Sequence, residues 1–151
     1  MGMKQSRVPW ANKLRPDMKP VVGDDPKGRG RMLIPTPMLV ANEMKRVRKG
    51  RTITVSELRD RLARQFGADF TCPLVTGIFY NIIAGAAEES IAAGKKPLAP
   101  YWRIIRDDGS LSPKTPFGPE RQAEHLRNEG HCIADEADKF IVALRQAHDA
   151  D

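Results

Sequence analysis

The chain has 151 residues, of which 40% are hydrophobic and 29% charged, with a formal net charge of +6. That length suits one domain with a real core, and the composition is that of an ordinary globular protein, not a fibrous or low-complexity one. No apolar run reaches the length of a membrane span and no apolar signal region opens the chain, which points to a cytoplasmic protein without membrane attachment.

Two cysteines, Cys72 and Cys132, stand far apart. They offer neither a disulfide framework nor the spacing of a metal site, so no metal and no cofactor is expected. Residues 1–32 hold eight Lys/Arg against three Asp, a net +5 that leaves the remaining chain near +1. A basic segment of this kind suits a polyanion such as nucleic acid, and a solubilising extension is the plainer alternative. Rich in Pro, Gly and charge, with no apolar periodicity, residues 1–32 are expected to be a disordered tail.

Thr36-Pro37 predicts the start of a first helix, an N-cap followed by proline at the first helical position. Val40, Met44 and Val47 share one face of it, and Gly50 ends it. Thr52 to Val55 is β-rich. A second helix follows, with Ser56 as its cap, Leu58, Leu62 and Phe66 on its buried face and Gly67 as its stop. Arg59, Arg61 and Arg64 are left toward solvent, as phosphate contacts or simply as a solvated charged face.

The third helix opens at Thr71-Cys72-Pro73 and extends as far as Gly94. Leu74, Val75, Ile78, Phe79, Ile82 and Ile83 form its expected packing face. Pro73, Thr76, Gly77 and Tyr80 fall on the other side, where Thr76 and Tyr80 are candidates to face a DNA groove. Cys72 at the helix start is either a displaced nucleophile or an inert packed thiol. Helix two, a turn and helix three make a helix-turn-helix.

After a turn at Pro100, "IIRDDGSL" reads as a strand entering a tight hairpin over Ile104 to Leu111. A fourth helix is expected from Pro119 to Glu129. A C-terminal docking helix is expected from Ile133 to Ala147, with Ile133, Ala137, Ile141 and Leu144 on one face. The predicted fold is mainly α with a small β hairpin, a winged helix-turn-helix over residues 33–131 followed by a docking segment over 132–151. His125, His131 and His148 show no partner spacing and receive no role.

Three stretches resemble the DNA-binding domain of the alkylguanine-DNA alkyltransferases and their cysteine-less relatives, the alkyltransferase-like proteins. "PYWRIIRDDGSL" stands where that family has Pro-Cys-His-Arg, an apolar strand pair and a Gly-containing hairpin. "FGPERQAEHLRNEGH" matches its Gly-initiated helix ending Leu-x-x-Glu-Gly, and "MLVANEMKRVRKGRTITVSEL" its helix, Gly-containing turn and Val-Ser/Thr helix entry. The likeness covers Thr36 to His131 and is strongest from Pro100 onward; the family's N-terminal α/β domain has no counterpart.

The resemblance implies a fold for flipping and sensing bases, with Tyr101, Trp102, Arg103 and Glu129 around the base pocket. It also implies that the chemistry is lost. Tyr101 occupies the place of the nucleophilic Cys and Trp102 that of the activating His, so the chain is expected not to be an enzyme. Pro73 falls near the family's stack-entering arginine, Val55 replaces its tyrosine, and Asn81 stands farther than usual from Pro100. The two rings either stack on a base or fill the cavity left by the old site. The expected partner is duplex DNA, alkylated or not, together with another repair protein. The alternatives are a sequence-tolerant binder driven by its tail and a degenerate winged-helix protein-interaction module.

Overall fold

The structure, a computed structural model, describes residues 8–136 and 139–142. A 3₁₀ turn (Trp10–Lys13) leads to β1 (Val21–Asp24) and β2 (Arg31–Ile34), followed by α1 (Pro37–Met44), β3 (Ile53–Thr54) and α2 (Val55–Gln65). Then come β4 (Phe70–Thr71), α3 (Pro73–Ala92), a second 3₁₀ turn (Tyr101–Arg103), β5 (Ile104–Ile105), α4 (Pro119–Asn128), β6 (Ile133–Glu136) and β7 (Lys139–Val142). The fold is mainly helical with small sheets: β1-β2-β4, the parallel pair β3-β5, and the antiparallel pair β6-β7. Among the described residues no helix is long and apolar enough to cross a membrane.

Local chemistry explains the helix starts. Thr36 caps α1 by accepting the Leu39 amide at 3.1 Å, with proline at the first turn. Val40, Met44 and Val47 are all buried, although regular helix stops at Met44. The cap of α2 is Thr54, two residues earlier than expected. Thr54 accepts the Glu57 amide at 3.1 Å, which frees the Ser56 hydroxyl to donate to Asp107 at 2.5 Å. Leu58 and Leu62 are in the core, whereas Phe66 at the end of α2 is exposed.

Three sequence-based expectations are corrected. Residues 8–32 are not a disordered tail: β1 and β2 pair antiparallel, and β2 continues in parallel onto β4, across the expected boundary at residue 32. The buried Asp25 carboxylate organises the connecting turn, accepting the Arg29 amide at 3.0 Å and its guanidinium at 2.6 and 3.1 Å. The docking helix from Ile133 is instead the hairpin β6–β7, and residues 143–151 lie outside the described part. Apolar spacing at three and four residues misled here, because Ile133 and Ile141 also suit a short hairpin.

The hairpin at Ile104 to Leu111 is the third. Its turn is present, with Gly109 donating to the Arg106 carbonyl at 2.8 Å and Arg106 to that of Ser110 at 2.9 Å. Yet β5 pairs in parallel with β3, Ile53 opposite Ile104, and the return arm at Ser110 bridges to Ile141.

The N-terminal turn is anchored on α3. Trp10 and Ala11 donate their backbone amides to the Glu89 carboxylate at 2.8 and 3.2 Å. The Trp10 ring lies so close to Gly85 that a Cβ there would overlap the ring carbons. Gly85→Ala should therefore displace Trp10 and destabilise the protein by about 1 to 3 kcal/mol. In a Trp10→Ala background the same change should cost little. Chemical unfolding of both single variants and the double variant measures that coupling.

Candidate nucleic-acid interface

The turn that the resemblance singles out is closed. Tyr101 and Trp102 sit in a 3₁₀ turn, not an extended segment, and both rings are buried, Tyr101 at 1% and Trp102 at 7% exposure. The Tyr101 hydroxyl donates to Glu88 at 2.6 Å, and the Tyr80 hydroxyl donates to the Tyr101 carbonyl at 3.2 Å. Trp102 stacks on His125 with ring centroids 4.1 Å apart and donates its indole N–H to Glu129 at 3.0 Å. Arg103 forms a fork on Glu129 at 3.0 and 2.7 Å. The four expected base-pocket residues thus stand together as a filled, hydrogen-bonded interior, and in this conformation the Tyr101 ring offers no face to a base.

Glu88 is the centre that the sequence did not reveal. Its carboxylate also accepts from Arg121 at 2.8 Å and pairs with His125 at 2.7 Å. Burial pushes this carboxyl up, but hydrogen bonds from His125, Tyr101 and Arg121 outweigh burial and bring its pKa down to about 2. Burial and then the neighbouring Glu88 charge push the Tyr101 phenol far above its ordinary value, so it is a neutral donor here. Glu129 is held below the ordinary carboxylate value because the Arg103 and Trp102 hydrogen bonds outweigh its burial. His125, given no role from sequence, carries both a ring stack and a hydrogen bond to Glu88. The available signals were its four-residue spacing from Arg121 and Glu129 on one face of α4, and two adjacent acids in an Ala-rich helix.

The open surface lies one layer out, at the start of α3. Phe79 and Ile83 are buried as expected, but Leu74 is 72% and Ile78 49% exposed. Thr76, expected to face solvent, is 1% exposed, and its hydroxyl donates back to the Cys72 carbonyl at 2.7 Å. α3 is apolar nearly all round, so periodicity alone could not decide which face turns inward. The result is an apolar groove of about 650 Å³ bounded by Val55, Pro73, Gly77, Ile78, β5 and the loop at Pro113. Tyr80 lines it, and the exposed Arg106 and Lys114 supply its cationic residues.

The three arginines expected to contact DNA do not act as one set. Arg59, one helical turn on from the groove-lining Val55, reaches the Thr71 carbonyl at 3.5 Å. At 3.6 residues per turn, Arg64 points opposite to Val55 and Arg61 about 120° from it, and neither lines the groove. They are tied to Glu57 at 3.0 and 3.5 Å.

Because both rings are core, Trp102→Ala and Tyr101→Ala should each cost about 3 to 5 kcal/mol. The Glu88 pKa, lowered from 4.5 to about 2, stabilises the fold above the ordinary value, and that stabilisation is lost as pH falls through about 2. Glu88→Gln should therefore be less stable than wild type at neutral pH. The gap should narrow as pH drops below about 4.5. Urea unfolding at a series of pH values measures both effects.

Comparison with family models, curated proteins and solved structures finds no match to this chain.

Proposed function

We propose that this chain is a non-enzymatic DNA-binding protein of the alkyltransferase-like type, a winged helix-turn-helix whose α3 groove receives duplex DNA with an intact or alkylated base. The observation that carries this reading is the apolar groove opened by Leu74 and Ile78 beside the cationic Arg106 and Lys114. Apolar walls with a few convergent polar groups are what a displaced base needs, and cations at the edge suit the flanking phosphates. This reading takes as its wing the turn over residues 106–110, held by the Asp108 carboxylate on the Ser110 amide and hydroxyl at 2.9 and 2.6 Å. The Arg103–Glu129 fork supports the reading, since the resemblance sets these two residues together around the pocket.

The absence of alkyl transfer is part of the proposal. The residue at the nucleophile's place is a phenol buried against a carboxylate, and an ionised phenolate there would face Glu88 directly. The basic segment of the tail-driven alternative is built into the fold, with Arg29 paired to Asp25 at 2.6 Å and Arg31 to Asp24 at 3.2 Å. Deleting residues 1–32 would also remove two strands and the Trp10 anchor, so surface substitutions give the cleaner test.

Fluorescence anisotropy with matched duplexes, one carrying an O6-methylguanine, tests the reading. Ile78→Asp should weaken binding by about tenfold or more, while leaving the unfolding midpoint within a few degrees of wild type. Intact protein mass should be unchanged after incubation with the alkylated duplex. Undiminished affinity in Ile78→Asp would turn the groove into a protein-docking site, which its exposed leucine and isoleucine also suit. A methyl adduct on Cys72 would overturn the non-enzymatic reading.

A further inference from the structure

Residues 45–51, Lys-Arg-Val-Arg-Lys-Gly-Arg, carry five cations and no carboxylate. Lys45, Arg46, Arg48 and Lys49 are exposed, yet Val47 in their midst is buried at 3%. The loop is held from beneath at two points. Arg103 donates to the Val47 carbonyl at 2.7 Å, and Glu129 accepts a hydrogen bond from the Gly50 backbone. The buried fork behind the closed turn therefore also shapes a basic run that composition alone would leave as solvated chain.

This loop does not stand alone. Arg46 shares a hollow of about 450 Å³ with Arg61 and Arg64 of α2, with Glu43 and Gln65 also lining it. Gln65 donates to the buried Glu43 carboxylate at 2.6 Å, and Arg61 approaches it at 3.7 Å, so this acid is occupied from within. Glu57 aligns both α2 arginines by its pairs at 3.0 and 3.5 Å. Guanidinium groups converging on one hollow suit phosphate oxygens, which they grip by two parallel hydrogen bonds.

The position matters as much as the charge. Helix geometry puts Arg64 opposite Val55 on α2 and Arg61 about 120° from it, and the hollow shares no lining residue with the groove. The groove and the basic hollow are thus two separate surfaces, each able to meet its own length of DNA backbone. We propose that the loop at residues 45–51, together with Arg61 and Arg64, is a second phosphate-binding surface that takes a separate DNA segment, so that one molecule joins two duplexes. This inference rests on the groove's being a DNA site, and its test separates the two ideas.

A short biotinylated duplex is immobilised, full-length protein is loaded and washed, and a fluorescent duplex of unrelated sequence is added. Wild type should load and then retain the second duplex. The triple variant Arg46→Gln, Arg48→Gln, Lys49→Gln should load through its groove but retain no second duplex. In single-duplex titrations at subsaturating protein its salt slope should also fall by up to about 2.7, at 0.9 for each phosphate that is no longer neutralised. All three substitutions are at exposed positions, and an unchanged unfolding midpoint confirms the fold. Wild type that loads without retaining a second duplex sinks the bridging surface and leaves the groove reading standing. No loading at all sinks both. Retention by the triple variant at the wild-type level assigns bridging to another surface, including self-association, and overturns the proposal.

Discussion

The Glu88 carboxylate is buried in the last turns of α3, directly after an alanine-glycine run, and its hydrogen bonds favour the charged form. A buried charge of this kind is tolerated only if its oxygens are fully engaged. Here Tyr101, Arg121 and His125 engage them. Each donor comes from an element that must pack against α3, so satisfying one carboxylate fixes the second 3₁₀ turn and α4 relative to α3. The Trp102–His125 stack and the Arg103–Glu129 fork then close the other side of the same turn. Removing a partner would leave a charge without compensation in a dry interior, which is why the network acts as a unit.

That network determines where function can reside. The turn at Tyr101–Arg103 is a structural knot whose phenol is held as a donor to Glu88. The accessible surface has moved outward to α3, where Leu74 and Ile78 are left bare, and to the basic loop over residues 45–51. The same Arg103–Glu129 fork that seals the turn also grips that loop. Core and basic loop are therefore linked by a short chain of hydrogen bonds, from the Glu129 carboxylate to the Gly50 amide and from Arg103 to the Val47 carbonyl.

Much of this is legible in the chain. Thr36-Pro37, Gly67, Pro73 and Gly118-Pro119 mark helix ends by local chemistry, and the structure places the helix starts and stops close to them. Arg103 and Glu129 are expected together and are together. What could not be read depended on choices between equivalent local patterns. α3 offers apolar side chains on every face, so its burial was settled by close packing at its alanines and by the Thr76 hydroxyl returning to its own backbone. The N-terminal strands are four residues each, too short for alternation to speak, and their order depends on Asp25 and on pairing with β4 far along the chain. Glu88 gives no signal until Tyr101, Arg121 and His125 are brought around it.

Amide hydrogen exchange on the full-length chain, with and without a saturating duplex, distinguishes a closed turn beside an open groove from a turn that DNA can open. If the groove is the binding surface, exchange slows over residues 73–81 and 106–114, while residues 101–103 are as protected in the free protein as in the complex. Altered exchange at residues 101–103, with residues 73–81 unchanged, would mean that DNA opens the closed turn instead of using the groove beside it.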